Sequence, residues 1–107
     1  MSDIWVEVRT DDSCMWQLKG RTWNEEPNMK DIQEALNGDY EFMPSSMLLN
    51  DVISVIVHDE GLLRQLPVNH LASQQLNITA RNPIFGNAVF HVEEEFITKE
   101  YWFKEEE

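Results

Sequence analysis

Basic residues are scarce in this chain. Eight Lys and Arg stand against twenty Asp and Glu, for a formal net charge of −12 at pH 7. Nucleic acids are held by neutralising their phosphates, so this balance argues against direct binding of DNA or RNA. Anionic membrane surfaces are disfavoured for the same reason. Cysteine occurs once, as Cys14. No intrachain disulfide can form, as expected for a reducing cytoplasm. There are four glycines, none clustered, which leaves no phosphate loop and no dinucleotide fingerprint. The longest largely apolar stretch, Val52 to Val57, is too short to span a bilayer. No Met-Lys/Arg start leads into an apolar run, so a secretory signal is not expected. The expected location is the cytoplasm.

Catalytic patterns are also missing. His58, His70 and His91 stand apart, with no second His or Cys at metal-ligand spacing. Glu93, Glu94 and Glu95, or Asp11 and Asp12, lack the ordered ligand set of a calcium loop. Cys14 follows Asp11, Asp12 and Ser13; nearby carboxylates raise a thiol's pKa, the opposite of activation. There is no Gly-x-Ser-x-Gly elbow. Among so many acids, spacing alone selects no pair for acid–base work. The expectation is a protein without catalytic residues, metal or cofactor.

What is there suits one folded domain. The chain has 107 residues, 42% of them hydrophobic, with four Trp, two Tyr and five Phe. A chain of this length can bury enough apolar surface to fold without a staple. Ile4, Val6 and Val8 alternate with Trp5, Glu7 and Arg9, the pattern of a half-buried strand that puts Trp5 on its polar face. Thr10 to Ser13 reads as a turn, and Met15 to Leu18 as a returning strand. Gly20 to Pro27 reads as a polar connection containing Trp23. Asn28 is a good N-cap for a helix over 29–37 with Ile32, Ala35 and Leu36 on one face, and Gly38 stands where a left-handed cap residue is wanted. Tyr40 and Phe42 alternate with acids in a strand over 39–43. Val52 to His58 is β-branched and apolar, as in a central strand covered on both faces. Leu62-Leu63 reads as the start of its hairpin partner. Asn69 caps a second short helix, to about Leu76, and Ala88 to Val92 is the last strand. Residues 93–107 form an acidic, aromatic tail, docked or partly frayed. The order implies an α+β domain: a single mixed, mainly antiparallel sheet with two short helices packed on one face.

The segment from Asp59 to Val89 has a distinctive order. Asp59-Glu60-Gly61-Leu62-Leu63 is followed by Leu66-Pro67-Val68-Asn69, then Leu71-Ala72-Ser73, then Pro83-Ile84-Phe85-Gly86-Asn87-Ala88-Val89. This order resembles the domain-of-unknown-function family DUF3846, small proteins mostly of phages, plasmids and the bacteria that carry them. The resemblance covers roughly residues 4–92 and leaves the acidic tail and the long connection around Trp23 outside. It implies a fold and a setting but no chemistry, so no catalytic residue carries over.

Acidity, surplus aromatics and that setting together lead to a non-enzymatic protein that binds and modulates a host protein with a basic surface. One concrete form is a DNA mimic, or anti-defence inhibitor, whose carboxylates occupy a groove that normally takes DNA. Its candidate binding residues are Asp11, Asp12, Glu93, Glu94, Glu95 and Trp102. The plainer reading is that the acidity only maintains solubility and that each Trp packs in the core. The alternative function is binding of a small molecule or nucleotide by Arg64, Asn69, Arg81 and Asn87, with the two arginines converging on an anion. Dimerisation through an exposed strand is compatible with either.

Overall fold

The computed structural model describes residues 3–10, 21–48, 52–74 and 83–93. They form a five-stranded sheet and two short helices. The strands are β1 (Asp3–Val8), β2 (Thr22–Trp23), β3 (Tyr40–Phe42), β4 (Val52–His58) and β5 (Ala88–Glu93); the helices are α1 (Met29–Leu36) and α2 (His70–Ser73). The sheet runs β2-β1-β5-β4-β3, and every described pairing is antiparallel. The first and last strands therefore lie side by side, with Ile4 opposite Val92 and Val6 opposite Phe90. Strand β5 fills the gap between β1 and β4 and is the central strand.

Alternation along β1, β4 and β5 sorts their side chains onto two faces. One face carries Ile4, Val6, Val8, Val55, Ala88, Phe90 and Val92, packed under Leu71 and Ala72 of α2 and under Ile84 and Leu48. The other carries Ile56 and Val89, covered by Ile32, Ala35 and Leu36 of α1 and flanked by Trp5, Trp23 and Tyr40. The two helices thus sit on opposite faces, not on one. The physical reason is the route of α1, which leaves β2 at one edge and reaches β3 at the other, so it must cross the sheet. A helix on one face leaves the other open, and α2 closes the second. Fully burying a side chain such as Phe90 contributes roughly 1.5–3 kcal/mol.

Local signals explain the helix ends. Asn28 Oδ1 accepts the Asp31 N–H at 2.8 Å, satisfying an orphan donor of the first turn. At the other end Asn37 takes the left-handed conformation, φ 63° and ψ 40°. The N–H groups of Asn37 and Gly38 both turn back to the Gln33 carbonyl. The left-handed residue is thus Asn37, one position before the glycine that composition favours, because Asn tolerates this region and the helix ends at Leu36.

Two further differences from the sequence reading follow from pairing. Thr22–Trp23, read as connection, pairs with β1, setting Trp23 opposite Trp5. Leu62 and Leu63 start no hairpin partner: residues 59–65 are turn, and β4 finds its second neighbour in β5, far along the chain. The expected strand over Met15 to Leu18 and the tail beyond Glu93 lie outside the described residues. No helix among the described residues is long and apolar enough to cross a membrane.

Candidate functional site

Strand β4 ends at His58, and two cavities meet there. The imidazole is buried and lines both. Its Nδ1 accepts the Glu60 N–H at 3.0 Å, which places the ring proton on Nε2. Gly38 lies against that nitrogen so closely that an added Cβ would stand 2.6 Å from Nε2. The turn after β4 is held by Gly61, whose N–H reaches the His58 carbonyl and where a Cβ would come within 2.7 Å of the Phe85 carbonyl oxygen. Gly61 is therefore a close-approach glycine, which accounts for the Asp-Glu-Gly order at this place.

The larger cavity, about 510 Å³, lies beside β3 and is lined by Phe42, Met43, Met47, Val57, Leu62 and Phe85, among others. It falls in the range of ligand-binding cavities. Its mouth is apolar and open: Phe42 is 57% exposed and Leu62 60%. Glu41 lines it, and Asp39 and Asp59 are exposed nearby on the flanking residues. The smaller cavity, about 180 Å³, is more polar and is bordered by Thr10, Asn37, His58, Arg64, Gly86 and Asn87.

The structure brings two of the four expected ligand residues together. Arg64 and Asn87 border the small cavity. Arg64 Nε also donates to Glu60 Oε1 at 2.8 Å, which partly neutralises it for an anion. Asn87 Oδ1 accepts the Thr10 N–H, and its Nδ2 donates to the Ala35 carbonyl near the end of α1. Asn69 does not line the cavity. It is fully buried, donating Nδ2 to the carbonyls of Val8 and Gly86 and accepting the Ala72 N–H as cap of α2. Its place is structural: it ties the end of β1, the start of β5 and α2 to one side chain. Arg81 lies outside the described residues.

Of the expected acidic binding set, Glu93 is described. It is exposed at the end of β5, directly opposite Asp3, a like-charge cross-strand pair that repels. His91 Nε2 approaches Asp3 Oδ2 at 3.4 Å without the geometry of a hydrogen bond. Asp11, Asp12, Glu94, Glu95 and Trp102 lie outside the described residues.

Two features escaped the sequence pattern. Trp5, expected on a polar face, is half-buried beside α1 and stacks on His91, with centroids 4.1 Å apart and planes 9° from parallel. Glu7, on the same face, is buried and accepts from both the backbone N–H and Nε of Arg21. Arg21 also reaches Glu34 of α1 and lies over the Trp23 ring, 5.2 Å from its centroid. Burial works against the Arg21 charge, but Glu7 first and then Glu34 outweigh it and raise its pKa. A charged residue at alternating position 7 signals an exposed face in sequence. No local signal says that a helix and an arginine from elsewhere will cover it. No three His, Cys, Asp or Glu among the described residues stand close enough to share a metal ion.

Comparison with family models finds a match to the family described as Domain of unknown function (DUF3846) over residues 13–102. The match starts after β1 and runs into the acidic tail as far as Trp102, so it is displaced from the span 4–92 that the motif order suggested. Neither the curated proteins nor the solved structures bring a match.

Proposed function

The chain belongs to the DUF3846 family, a membership that assigns no activity, and from its own residues we propose a small acidic, non-catalytic binding protein that engages a basic surface of a partner protein. The observation that carries this reading is where the charge sits. Glu7 is the one buried carboxylate among the described residues. The others face solvent or its boundary, and Asp3 and Glu93 stand opposed on neighbouring strands. Such a surface gains energy from an opposing cationic patch and speeds encounter with it.

In its finer form the partner is a host factor met in the bacterial cytoplasm, and the protein belongs to a phage or mobile element. There the carboxylates take the place of DNA phosphates on a nuclease, repressor or polymerase, inhibiting it. Affinity capture from bacterial lysate at low and high salt, with identification by mass spectrometry, tests this. One stoichiometric partner that is released by salt is expected. A partner bound equally at both salts counts against a charge-based interaction.

A second reading has one observation in its favour: Arg64 and Asn87 share the small cavity with His58. It would take a small anionic molecule or nucleotide. A thermal-shift screen of nucleotides and small anions should then raise Tm for at least one of them, and a flat screen removes the reading.

A further inference from the structure

The geometry points to the outer edge of β3, together with the apolar cavity beside it, as the place where an extended segment of the partner protein adds to the sheet. This inference rests on the acidic-binder reading and gives it a location. Among the described residues, strand β3 ends the sheet. The Asp59 N–H donates to the Asp39 carbonyl at 3.2 Å, and the Met43 N–H to the Val55 carbonyl at 2.9 Å. In an antiparallel pair the bonded residues alternate, so Asp39, Glu41 and Met43 turn their backbone groups to β4. Tyr40 and Phe42 therefore turn theirs outward, as a template for another strand.

The cavity supplies the side-chain pocket that such a strand needs. Phe42, Met43, Leu62 and Phe85 line it, and it opens beside the same edge. The charge selects the occupant. Glu41 is exposed at the middle of β3, and Asp39 and Asp59 are exposed where β3 begins and β4 has ended. A second copy paired antiparallel about Glu41 would set that carboxylate against its equivalent, and one paired about Tyr40 would set it against Asp39, between two chains that each carry −12, which is repulsive. An incoming strand that carries Lys or Arg opposite Glu41 and an apolar residue two positions away meets no such penalty: both side chains point to the face of Glu41, Met43 and Val57, so the cation meets the carboxylate and the apolar group enters the cavity. The opposite edge is less suited, since β2 has two residues and Arg21 lies over its Trp23.

The test uses the full chain and three sets of short synthetic peptides. One carries Lys and then Ile, Leu or Phe at successive same-face positions, i and i+2, with Thr between them; one has Glu in place of Lys; one is the Lys set N-methylated at alternate backbone nitrogens. Binding is read by amide NMR shifts and hydrogen exchange at low salt. The Lys set should shift Tyr40, Phe42 and Leu62 and slow exchange at the Tyr40 and Phe42 amides, and the Glu and N-methylated sets should not. Glu41→Lys and Leu62→Ser should each weaken binding by about tenfold, whereas Glu25→Lys with Glu26→Lys should leave it nearly unchanged. Lys peptides that saturate the protein without changing Tyr40 or Phe42 would sink the edge site while leaving an acidic binder standing. No binding of any Lys peptide at low salt would sink both. A dimer in sedimentation that protects Tyr40 and Phe42 without peptide would make a second copy the occupant and overturn the proposal.

Discussion

Asn69 commits both ends of one buried amide to backbone groups of three separate segments. Replacing it by Ala would leave the Val8 and Gly86 carbonyls and the Ala72 N–H short of a partner in a site closed to water. Each such loss costs roughly 1–3 kcal/mol where no water can enter. Asn69→Ala should therefore lower the unfolding free energy by about 3 kcal/mol or more, measured by urea denaturation; a loss below about 0.5 kcal/mol would mean water replaces the amide. Gly38 illustrates a steric version of the same dependence. Its hydrogen faces the His58 ring, and a methyl there would stand 2.6 Å from Nε2. Because His58 is buried, the ring cannot swing into solvent. Gly38→Ala should cost about 1–3 kcal/mol as an overpacked site and disturb the Glu60 N–H bond to Nδ1. Faster exchange at the Glu60 amide would report it, and unchanged exchange would argue against the contact.

At the scale of elements, α1 shows how much a short helix owes to its ends. Eight residues cannot hold a helix alone in water. The Asn28 cap, the left-handed Asn37 and the docking of Ile32, Ala35 and Leu36 on Val89 and Ile56 hold it together. Asn28→Ala should cost about 1 kcal/mol, seen as a lower denaturation midpoint with unchanged slope. A changed slope would indicate that the cap governs docking of the whole helix. The cap and the apolar spacing were legible in sequence because both are local. Strand β2 was not: two residues have no period, and Thr22–Trp23 becomes a strand through its pairing with Val6 and Trp5. The candidate site divides along the same line. Arg64 and Asn87 were named from the turn-rich segment and do meet at one cavity, whereas the part of His58, isolated in sequence, depends on Gly38 and Glu60 closing around it.

The whole molecule carries a charge of −12, and its described carboxylates other than Glu7 lie at or near the surface. Their mutual repulsion opposes the compact state and is screened by salt. Screening roughly 1 kcal/mol of it would raise Tm by about 4–8 °C in a domain of this size, so a melting series in sodium chloride should climb at first. A falling series would mean that ion pairs such as Arg21 with Glu7 outweigh the repulsion. Reversing Glu93, Glu94 and Glu95 to Lys should weaken a basic partner by about tenfold or more without loss of fold, since at position 93 the repulsion from Asp3 becomes attraction. Full binding by that triple variant, measured by calorimetry, would remove these three carboxylates from the partner's footprint.

By itself the sequence determined the sign of the surface, the lack of an intrachain disulfide and the identity of the longer elements. Charge and cysteine number need no geometry, and the periods and caps that mark β1, α1, β4 and β5 are written within a few neighbouring residues. The tertiary structure alone decided that β5 enters between the first and fourth strands, that the helices cover opposite faces, and that Glu7 and Asn69 are buried. It also decided that one histidine stands between two cavities. Strand pairing joins residues far apart in the chain, and whether a polar side chain meets water or a partner depends on what arrives from those distant segments.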